Sequence, residues 1–230
     1  MSDKSKKLSV VVPYRNREEH LAQFIPHMEK FLIDTGIELF RIRVIEQDDP
    51  EGGQAFNRAK LLNVGFDIDK EWADYFCFHD VDMLPVEADY SYVTEPTHMA
   101  TECSQFGYQL PYGGYFGGVT LFNKQDFIDV NGYSNEYWGW GAEDDDMMIR
   151  CYVKNKLHPP AHVPRRRGRY ESLHHERRIV YDEYKGNWNK LQNLNEESIC
   201  LEGLSNLNYE ILQRGSLADS MSSFKIRVSI

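Results

Sequence analysis

A run of four acidic residues, 143–146, follows a Trp-Gly-Trp-Gly segment at 138–141. Adjacent carboxylates repel one another, and each isolated charge resists burial. The dipole of a helix favours acidic residues in its first turn, which accounts for one or two of the four. The glycines on both sides of Trp140 give the backbone the freedom that a mobile lid needs. The pattern therefore favours an active site over helix capping, with a carboxylate that can serve as a general base.

A second pair of carboxylates, Asp80 and Asp82, follows the aromatic and apolar segment 72–78, which predicts a buried strand. Side chains at i and i+2 on an extended chain point the same way. Ligands of open α/β sheets bind at the carboxyl ends of the strands, and carboxylates there suit Mg²⁺ or Mn²⁺. The Asp-x-Asp pair is therefore a predicted metal site. The adjacent histidines His174 and His175 are candidates for a third ligand.

The bulk properties of the chain narrow the possible functions. The 230 residues fit one large domain, and a net charge of −10 argues against nucleic-acid binding. No apolar stretch reaches the roughly 18 residues that a membrane span needs, and the first residues contain no apolar leader. Arginines cluster at 165–169 and 177–178. For these the pattern leaves two readings open, a solvated face or a contact with phosphate or an anionic acceptor.

Strand and helix patterns alternate in the first third of the chain, which predicts an α/β fold with a mostly parallel sheet. The predicted strands are 8–13, 37–47, 72–78 and 119–122; the predicted helices are 18–35, 56–69, 125–131 and 143–155; and 162–188 is predicted to be a long loop. The sequence has no Gly-x-Gly-x-x-Gly, so a dinucleotide-binding Rossmann site is disfavoured.

The first predicted strand ends in Arg15 and Arg17, which are suited to hold phosphate or a nucleotide. A nucleotide-binding end, a metal site, a general base and an aromatic lid are the parts needed to transfer a sugar from a nucleoside diphosphate.

Five motifs in the same order resemble the β-1,4-galactosyltransferase family over about residues 10–209. They are 12–17, 56–66, 79–82, 115–119 and 138–146, and the segment 202–209 resembles the family's closing Asp-Gly-Leu-Asn segment. The resemblance implies an α/β GT-A glycosyltransferase fold, with a mostly parallel central sheet flanked by helices, a mobile Trp loop and a long C-terminal loop. It implies one catalytic domain, 1–230, with a disordered tail (1–7), a nucleotide-binding half (8–85) and an acceptor-binding half (86–230).

The resemblance also implies a role for each matching residue. Asp144 would be the catalytic base. The donor-binding residues would be Pro13, Arg15, Arg17, Phe56, Arg58, Asp80, Val81, Tyr115, Gly118, Trp140 and Glu143. The acceptor-binding residues would be Tyr115, Trp140, Gly141, Asp144 and Asp145. The metal ligands would be Asp82 and His175, with His174 in reserve.

By the same resemblance, we expect a metal-dependent, inverting transfer of galactose from UDP-galactose to a sugar hydroxyl, forming a β-1,4 linkage. The metal would be Mn²⁺, with Mg²⁺ as a substitute. Tyr115 resembles the residue of galactose users. The acceptor stays open between a xyloside, an N-acetylglucosaminide and a glucoside, and the oligomeric state is not predicted. The alternatives are another donor, UDP-GalNAc or UDP-glucose, for surface glycan synthesis, or a glycan-binding homologue without activity.

The expected compartment depends on the source of the chain. A full-length microbial or viral protein would be cytoplasmic, and the trimmed domain of a eukaryotic protein would come from the Golgi lumen. The sequence 1–4, Met-Ser-Asp-Lys, favours the first of these.

Overall fold

The computed structural model of the protein describes residues 5–154, 156, 165–174, 180–217 and 222–230. In chain order its elements are β1 (Leu8–Tyr14), α1 (Glu18–Asp34), β2 (Phe40–Gln47), α2 (Arg58–Asp69), β3 (Tyr75–His79), β4 (Met83–Glu87), β5 (Thr97–His98), β6 (Glu102–Cys103), β7 (Val119–Asn123), α3 (Lys124–Asp129), α4 (Glu143–Val153), β8 (Arg169–Ser172), α5 (Tyr181–Gln192), α6 (Glu196–Leu201), β9 (Glu210–Ser216) and β10 (Ser223–Ser229).

A seven-stranded sheet in the order β5-β7-β3-β1-β2-β10-β9 forms the centre of the fold. Strand β1 pairs in parallel with β2 and β3, and β10 pairs in parallel with β2. The outer pairings, β3–β7, β5–β7 and β9–β10, are antiparallel. The predicted parallel arrangement therefore holds for the four central strands, and the edges of the sheet are antiparallel.

Every residue of β1 is buried, because helices cover both faces of the sheet. Val10 and Val12 pack with the apolar face of α1, whereas Val11 packs on the opposite face with α2. Helix α2 approaches β1 closely, since a Cβ on Gly65 would lie 2.2 Å from Val11 Cγ1. This packing fixes the carboxyl ends of β1 and β3 next to the amino end of α2.

A smaller sheet has the strand order β4-β8-β6, and its strand β4 directly follows β3 of the large sheet in the chain. Part of the basic run lies beside it and makes internal contacts. Arg166 donates to the backbone oxygens of Ser91 and Tyr92 at 2.7 and 2.9 Å, and Arg167 pairs with Glu102 at 2.8 Å. These arginines therefore hold loops together. Arg177 and Arg178 lie outside the described residues.

Two predictions about order along the chain were wrong. The segment 162–188 was expected to be a long loop, but its described part contains β8 and the first turns of α5. Lys7 was expected in a disordered tail, yet its backbone nitrogen donates to Asp74 Oδ2 at 2.9 Å and its oxygen accepts from Asp74 N. Residues 1–4 lie outside the described part of the chain.

A buried ion cluster anchors α4. Arg150 is completely buried, and its Nε donates to Asp146 on the same helix. Its other nitrogens donate to Glu202, to the backbone oxygen at 2.8 Å and to Oε2 at 3.2 Å. The second oxygen of Asp146 accepts from the Tyr137 hydroxyl at 3.1 Å. Asp146 thus faces the interior, and the other three acids of the run are left to face outward.

Within the described part of the chain, no helix combines the length and apolar character that crossing a membrane requires.

We predict that Arg150→Met lowers the free energy of unfolding by about 3–5 kcal/mol, because it leaves the buried Asp146 carboxylate without its cation. Urea unfolding at neutral pH measures this difference. Lys30→Met is the matched control: the Lys30–Asp34 pair is 76% and 58% exposed, so the change is expected to be below about 1 kcal/mol. Equal losses in the two variants would show that the cluster does not anchor α4.

Candidate active site

A cavity of about 790 Å³ opens at the carboxyl ends of β1 and β3, the position expected for ligands in an open α/β sheet. Its wall comes from distant parts of the chain. The lining residues are Pro13 at the end of β1, with Arg15 and Arg17 after it; 53–56 and Arg58 before and at the start of α2; 80–83 after β3; 105–106, 111–112 and Tyr115; 139–145; and Glu183 and Trp188 of α5.

The turn after β3 presents Asp80 and Asp82 to this cavity. Met83 N donates to the Asp80 backbone oxygen at 3.3 Å, which closes the turn, and Asp80 N donates to the Gly118 oxygen at 3.0 Å. Leu173 N donates to the Asp82 backbone oxygen at 2.7 Å. The turn that carries both carboxylates is therefore held by backbone hydrogen bonds to β4, to the loop before β7 and to the residue after β8.

One guanidinium joins two carboxylates of the cavity. Arg58 Nε donates to Asp80 Oδ1 at 2.6 Å, and its Nη1 donates to Asp144 Oδ1 at 3.0 Å. Glu143 lies 3.9 Å from the same nitrogen. Because these side chains are only 13–29% exposed, little water separates the charges and their attraction is strong.

The Asp144 carboxylate lies directly against the backbone of Gly117, which has no side chain to separate them. A Cβ on Gly117 would stand 2.2 Å from Asp144 Oδ2, so only glycine allows this approach. The Gly117 oxygen accepts from His98 Nε2 at 2.9 Å, which fixes the peptide against which the carboxylate rests. Asp144 is thus held on one side by Arg58 and confined on the other by the loop before β7.

Burial raises the pKa of Asp144 well above the usual range of an aspartate. The Arg58 guanidinium opposes this rise, and the neighbouring carboxylates Glu143, Asp80 and Asp145 add to it. Burial likewise raises the pKa of Asp80, against the pull of Arg58. Carboxylates with raised pKa values in a cavity are suited to accept a proton near neutral pH.

The other two acids on the cavity side, Glu143 and Asp145, also line the wall. Asp145 Oδ1 accepts from the Tyr112 hydroxyl at 2.8 Å, and burial raises the pKa of Asp145. Glu143 lines the cavity beside Asp144. The run therefore divides into three residues on the cavity wall and one, Asp146, in the interior, in line with the expectation that helix capping explains only part of it.

Trp140 projects from a loop whose backbone relies on positive φ angles. Gly139 and Gly141 have φ of 79° and 105°, and Ala142 has φ of 75°. The Trp140 ring is 43% exposed and stacks on Tyr184 of α5 at 5.6 Å, with an interplanar angle of 20°. The fold thus supplies an exposed aromatic face at the cavity, and the mobility of the loop stays a prediction.

The end of the cavity near β1 combines an aromatic ring and a cation. The Arg15 guanidinium lies over the Phe56 ring at 5.3 Å and donates to the Gln54 oxygen at 2.8 Å. Arg17 and Pro13 complete this wall. Such a surface suits a planar base and an anionic group.

The donor set of the predicted metal site fits a divalent ion of the Mn²⁺ type, although the described residues do not complete it. Asp82 supplies a carboxylate on the cavity wall, and the hydrogen bond from Leu173 N to the Asp82 backbone oxygen brings Leu173, the residue before His174, beside it. The His174 backbone oxygen accepts from His20 Nε2 at 3.2 Å. His175 lies outside the described residues. Among those described, no group of three or more His, Cys, Asp or Glu side chains is spaced to hold a metal.

The structure brings most of the predicted site residues to one cavity. Pro13, Arg15, Arg17, Phe56, Arg58, Asp80, Val81, Asp82, Tyr115, Trp140, Gly141, Glu143, Asp144 and Asp145 all line it. Gly118 does not: it lies behind the turn, where a Cβ would stand 2.7 Å from Met83 Sδ and the backbone has φ of 77°. His174 is exposed and is not part of the wall.

Sequence reasoning missed the contribution of α5. Glu183 and Trp188 line the cavity, and Tyr184 supports Trp140. The spacing of Tyr181, Tyr184 and Trp188 at i, i+3 and i+7 is typical of one helix face and could have indicated this helix. Tyr112, which holds Asp145, was also missed.

Comparison with known proteins gives matches along most of the chain. Two protein-family models match the chain. The model of the N-terminal region of glycosyl transferase group 7 matches residues 2–95, and the model of the N-terminal domain of galactosyltransferase matches residues 97–176. The chain is 39% identical over 212 residues to β-1,4-galactosyltransferase 4 of Rattus norvegicus and 35% identical over 212 residues to β-1,4-galactosyltransferase 1 of Homo sapiens. It covers 59% and 51% of their lengths and 90% of its own in each alignment.

Among solved structures, the fold matches the catalytic domain of Drosophila β1,4-galactosyltransferase 7 in complex with xylobiose. The TM-score is 0.79 at 29% identity, covering 98% of this chain and 94% of that one. A mutant of the same Drosophila enzyme in complex with manganese, UDP-Gal and xylobiose matches with a TM-score of 0.79 at 28% identity, over the same shares of both chains. These matches confirm the predicted GT-A-type α/β fold.

We predict that Asp144→Asn changes how stability depends on pH. Because burial holds the pKa of Asp144 above its unfolded value, the folded chain keeps a proton that the unfolded chain has lost, and stability falls as pH rises through that window. Asparagine removes this loss. In metal-free buffer, the melting temperature of the variant relative to the original protein should therefore increase from pH about 5 to about 8.

The exposed Asp34→Asn variant is the control for this measurement, and its difference from the original protein should stay nearly constant with pH. A difference for Asp144→Asn that is flat or decreases with pH would contradict the assignment of a raised pKa to this carboxyl.

Proposed function

The chain belongs to glycosyl transferase group 7, the family of the β-1,4-galactosyltransferases, and we propose that it is itself a metal-dependent, inverting galactosyltransferase. The proposed donor is UDP-galactose, the acceptor is a sugar hydroxyl, and the product is a β-1,4-linked galactoside. The observation that carries the proposal is the Arg58 bridge, which places a carboxylate of the donor side, Asp80, and a carboxylate suited to be the base, Asp144, on one guanidinium.

The half of the cavity near β1 is proposed to bind the nucleotide. Phe56 offers a ring for stacking on a base, and Arg15 and Arg17 offer cations for ribose and phosphate oxygens. In this binding mode the diphosphate extends toward the turn with Asp80 and Asp82. The Drosophila enzyme solved with manganese and UDP-Gal has the same fold, which supports a UDP-sugar and a metal ion as ligands of this cavity.

We propose that Asp82 holds Mn²⁺, with His175 as a further ligand, the predicted third one, and His174 as the alternative. When bound, the ion would neutralise the charge that develops on the leaving diphosphate. Asp80, beside it, is proposed to bind the ribose or the donor sugar, and its contact with Arg58 fixes its direction.

In the proposed reaction, Asp144 takes the proton of the acceptor hydroxyl. The freed oxygen forms a bond to the anomeric carbon of galactose while the bond from that carbon to the diphosphate breaks, and UDP leaves with the electron pair. A single displacement on the face opposite the leaving group inverts the configuration. Arg58 opposes the effect of burial, because its positive charge lowers the pKa of that carboxyl and so favours the ionised form that acts as the base.

The acceptor is proposed to lie between aromatic side chains at the mouth of the cavity. Trp140 is 43% exposed, Tyr112 46% and Trp188 36%, and all three line the cavity. Sugar rings present apolar C–H faces that pack on such surfaces, while Asp144 and Asp145 accept from hydroxyls. A relative bound to xylobiose supports a xyloside as acceptor, and N-acetylglucosaminides and glucosides are the other candidates.

The Tyr115 ring is proposed to select the donor sugar. It is held edge-on by His98 at 5.2 Å, by Tyr112 at 5.6 Å and by Phe106 at 5.9 Å. A side chain packed on three sides cannot swing away to admit a larger sugar. We therefore expect UDP-galactose to be preferred over UDP-GalNAc.

The first test of the proposal is release of UDP from UDP-galactose in the presence of Mn²⁺ with xyloside, N-acetylglucosaminide and glucoside acceptors. We predict that Asp144→Asn lowers kcat by about 10²–10⁴-fold while UDP affinity is kept, because only proton removal is lost. Asp82→Ala should abolish the Mn²⁺ dependence of UDP binding, measured by calorimetry.

Glu197→Gln, on exposed α6, is the control and should leave both quantities unchanged. Near-normal turnover of Asp144→Asn would remove this residue as the base. Manganese-dependent UDP binding that survives Asp82→Ala would remove the metal assignment. Release with UDP-GalNAc or UDP-glucose but not UDP-galactose would replace the proposed donor.

We further predict that Trp188→Ala raises the KM for the acceptor about tenfold with little change in the KM for UDP-galactose, because Trp188 contacts Tyr184, which supports Trp140 on the proposed acceptor side of the cavity. Tyr181→Ala is the matched control, since Tyr181 lies on the same helix, is 72% exposed and is not part of the wall. Steady-state kinetics with both substrates varied separates the two KM values. Equal effects of the two variants would contradict an acceptor role for Trp188.

A further inference from the structure

His79, the residue before Asp80, lies beneath the turn that carries the two carboxylates. Its side chain is completely buried. Its Nδ1 is 2.9 Å from the backbone oxygen of Asp80, and its Nε2 is 2.9 Å from the Tyr90 hydroxyl. The ring does not line the cavity, so its contribution to the site is made through the backbone of its neighbour.

The two contacts together fix the tautomer of the ring. A carbonyl oxygen can only accept, so Nδ1 carries the proton and donates to Asp80. A neutral imidazole has one proton on its nitrogens, so Nε2 is bare and accepts from the Tyr90 hydroxyl. Burial lowers the pKa of His79 to about 4, which keeps the ring neutral at physiological pH.

Three aromatic rings prevent this imidazole from moving. Phe24 of α1 meets it edge-on at 5.0 Å, Tyr170 of β8 meets it edge-on at 5.9 Å, and Tyr90 stacks with it at 6.1 Å. Tyr90 is itself held, because its backbone oxygen accepts from the Tyr75 hydroxyl at 3.0 Å. The ring and its two hydrogen bonds therefore form a rigid support.

This support acts on the peptide between Asp80 and Val81. The Asp80 oxygen accepts from His79 Nδ1 and, across the turn, from Met83 N. The Asp82 oxygen accepts from Leu173 N at 2.7 Å. Without the His79 proton, the 3.3 Å bond from Met83 N is the one that remains on the Asp80 carbonyl among the described residues, and a rotation of this peptide would redirect the carboxylates of the turn.

We propose that His79 is a positioning residue that, through its Nδ1 proton, sets the direction of the Asp80 and Asp82 carboxylates for the nucleotide and its divalent ion. The inference rests on the proposed function of the same site. It adds that a side-chain hydrogen bond inside the core, beside the backbone bonds of the turn, contributes to the affinity of the site for a metal–nucleotide pair. Residues that support ligands in this way typically contribute about 10–100-fold to metal affinity.

Three variants separate the hydrogen bond from packing. In His79→Asn the amide nitrogen takes the position of Nδ1, whereas in His79→Gln it reaches the position of Nε2. His79→Phe keeps an aromatic ring of similar size and has no N–H. For each we would measure the Kd of UDP with and without Mn²⁺ by calorimetry, the Kd of Mn²⁺ by electron paramagnetic resonance, and the melting temperature.

We expect His79→Phe and His79→Gln to weaken Mn²⁺-dependent UDP binding at least about tenfold, and His79→Asn to retain most of it. The order of stability should differ, because asparagine leaves a cavity that phenylalanine fills. Affinity should therefore follow the hydrogen bond, with asparagine best, while the melting temperature follows packing, with phenylalanine best. Equal affinities in the three variants, or affinities that follow the melting temperatures, would overturn the proposal.

A spectroscopic signature tests the tautomer independently of binding. Long-range ¹⁵N–¹H correlation of the histidine rings in the full chain should show His79, assigned by its absence in His79→Phe, with a protonated Nδ1 and a bare Nε2. A protonated Nε2 would overturn the proposal. Failure of the proposed function looks different: the unsubstituted protein itself would then show no Mn²⁺-dependent binding of UDP, whatever the tautomer of His79.

Discussion

The site depends on one electrostatic constraint: a cavity that collects Asp80, Glu143 and Asp144 needs a cation that faces all three. Arg58 meets this need with contacts of 2.6, 3.9 and 3.0 Å. Its guanidinium is planar and always charged, so it holds two carboxylates in fixed directions without being neutralised by burial. The carboxylates in turn keep the arginine from being a buried, unpaired charge. Loss of Arg58, or of the carboxylates, would leave a charge unpaired in a poorly solvated site. Because Arg58 contacts both Asp80 and Asp144, it links the nucleotide half of the cavity to the half with the base.

The fold brings these groups together by placing chain ends at one edge of a sheet. Strands β1 and β3 are adjacent and parallel, so the residues after each of them meet, and the start of α2 lies above the same edge. Helix α4 approaches from the other side, anchored inward by Asp146 and Arg150, which frees its first turn for the cavity. Glycine at 117 and positive φ at 139 and 141 then allow backbone and carboxylates to come closer than side chains would permit. The strand pairing, the buried Asp146–Arg150 pair and the glycines thus all help to place the charged groups of Arg58, Asp80 and Asp144.

The parts of the site that the sequence predicts are those whose signals are local. Asp80 and Asp82 lie two residues apart at the end of an apolar strand, and the acidic run at 143–146 is continuous. The contact between Arg58 and Asp144 joins residues 86 positions apart, and no pattern in either segment predicts it. Helix α5 escaped prediction because its aromatic side chains are exposed or pack on Trp140 and not on the core, so the segment lacks the aliphatic stripe of a core helix and its aromatic spacing was the one remaining signal. Strand β10 is likewise set beside β2 from the far end of the chain. Gly118 was assigned to the ligand, although its backbone supports the turn from behind.

The central claim is that Asp144 removes a proton from an acceptor hydroxyl in a single displacement on a donor held at Arg58 and Asp82. The anomeric configuration of the first product tests this most directly. UDP-galactose, Mn²⁺ and a xyloside or N-acetylglucosaminide would be incubated with the protein, and proton NMR of the product, recorded after the paramagnetic ion is removed, would give this configuration. The account predicts a β-linked galactoside as the initial product, formed together with UDP in equal amounts. An α-linked product would require two displacements or a different geometry of attack, and would contradict the account.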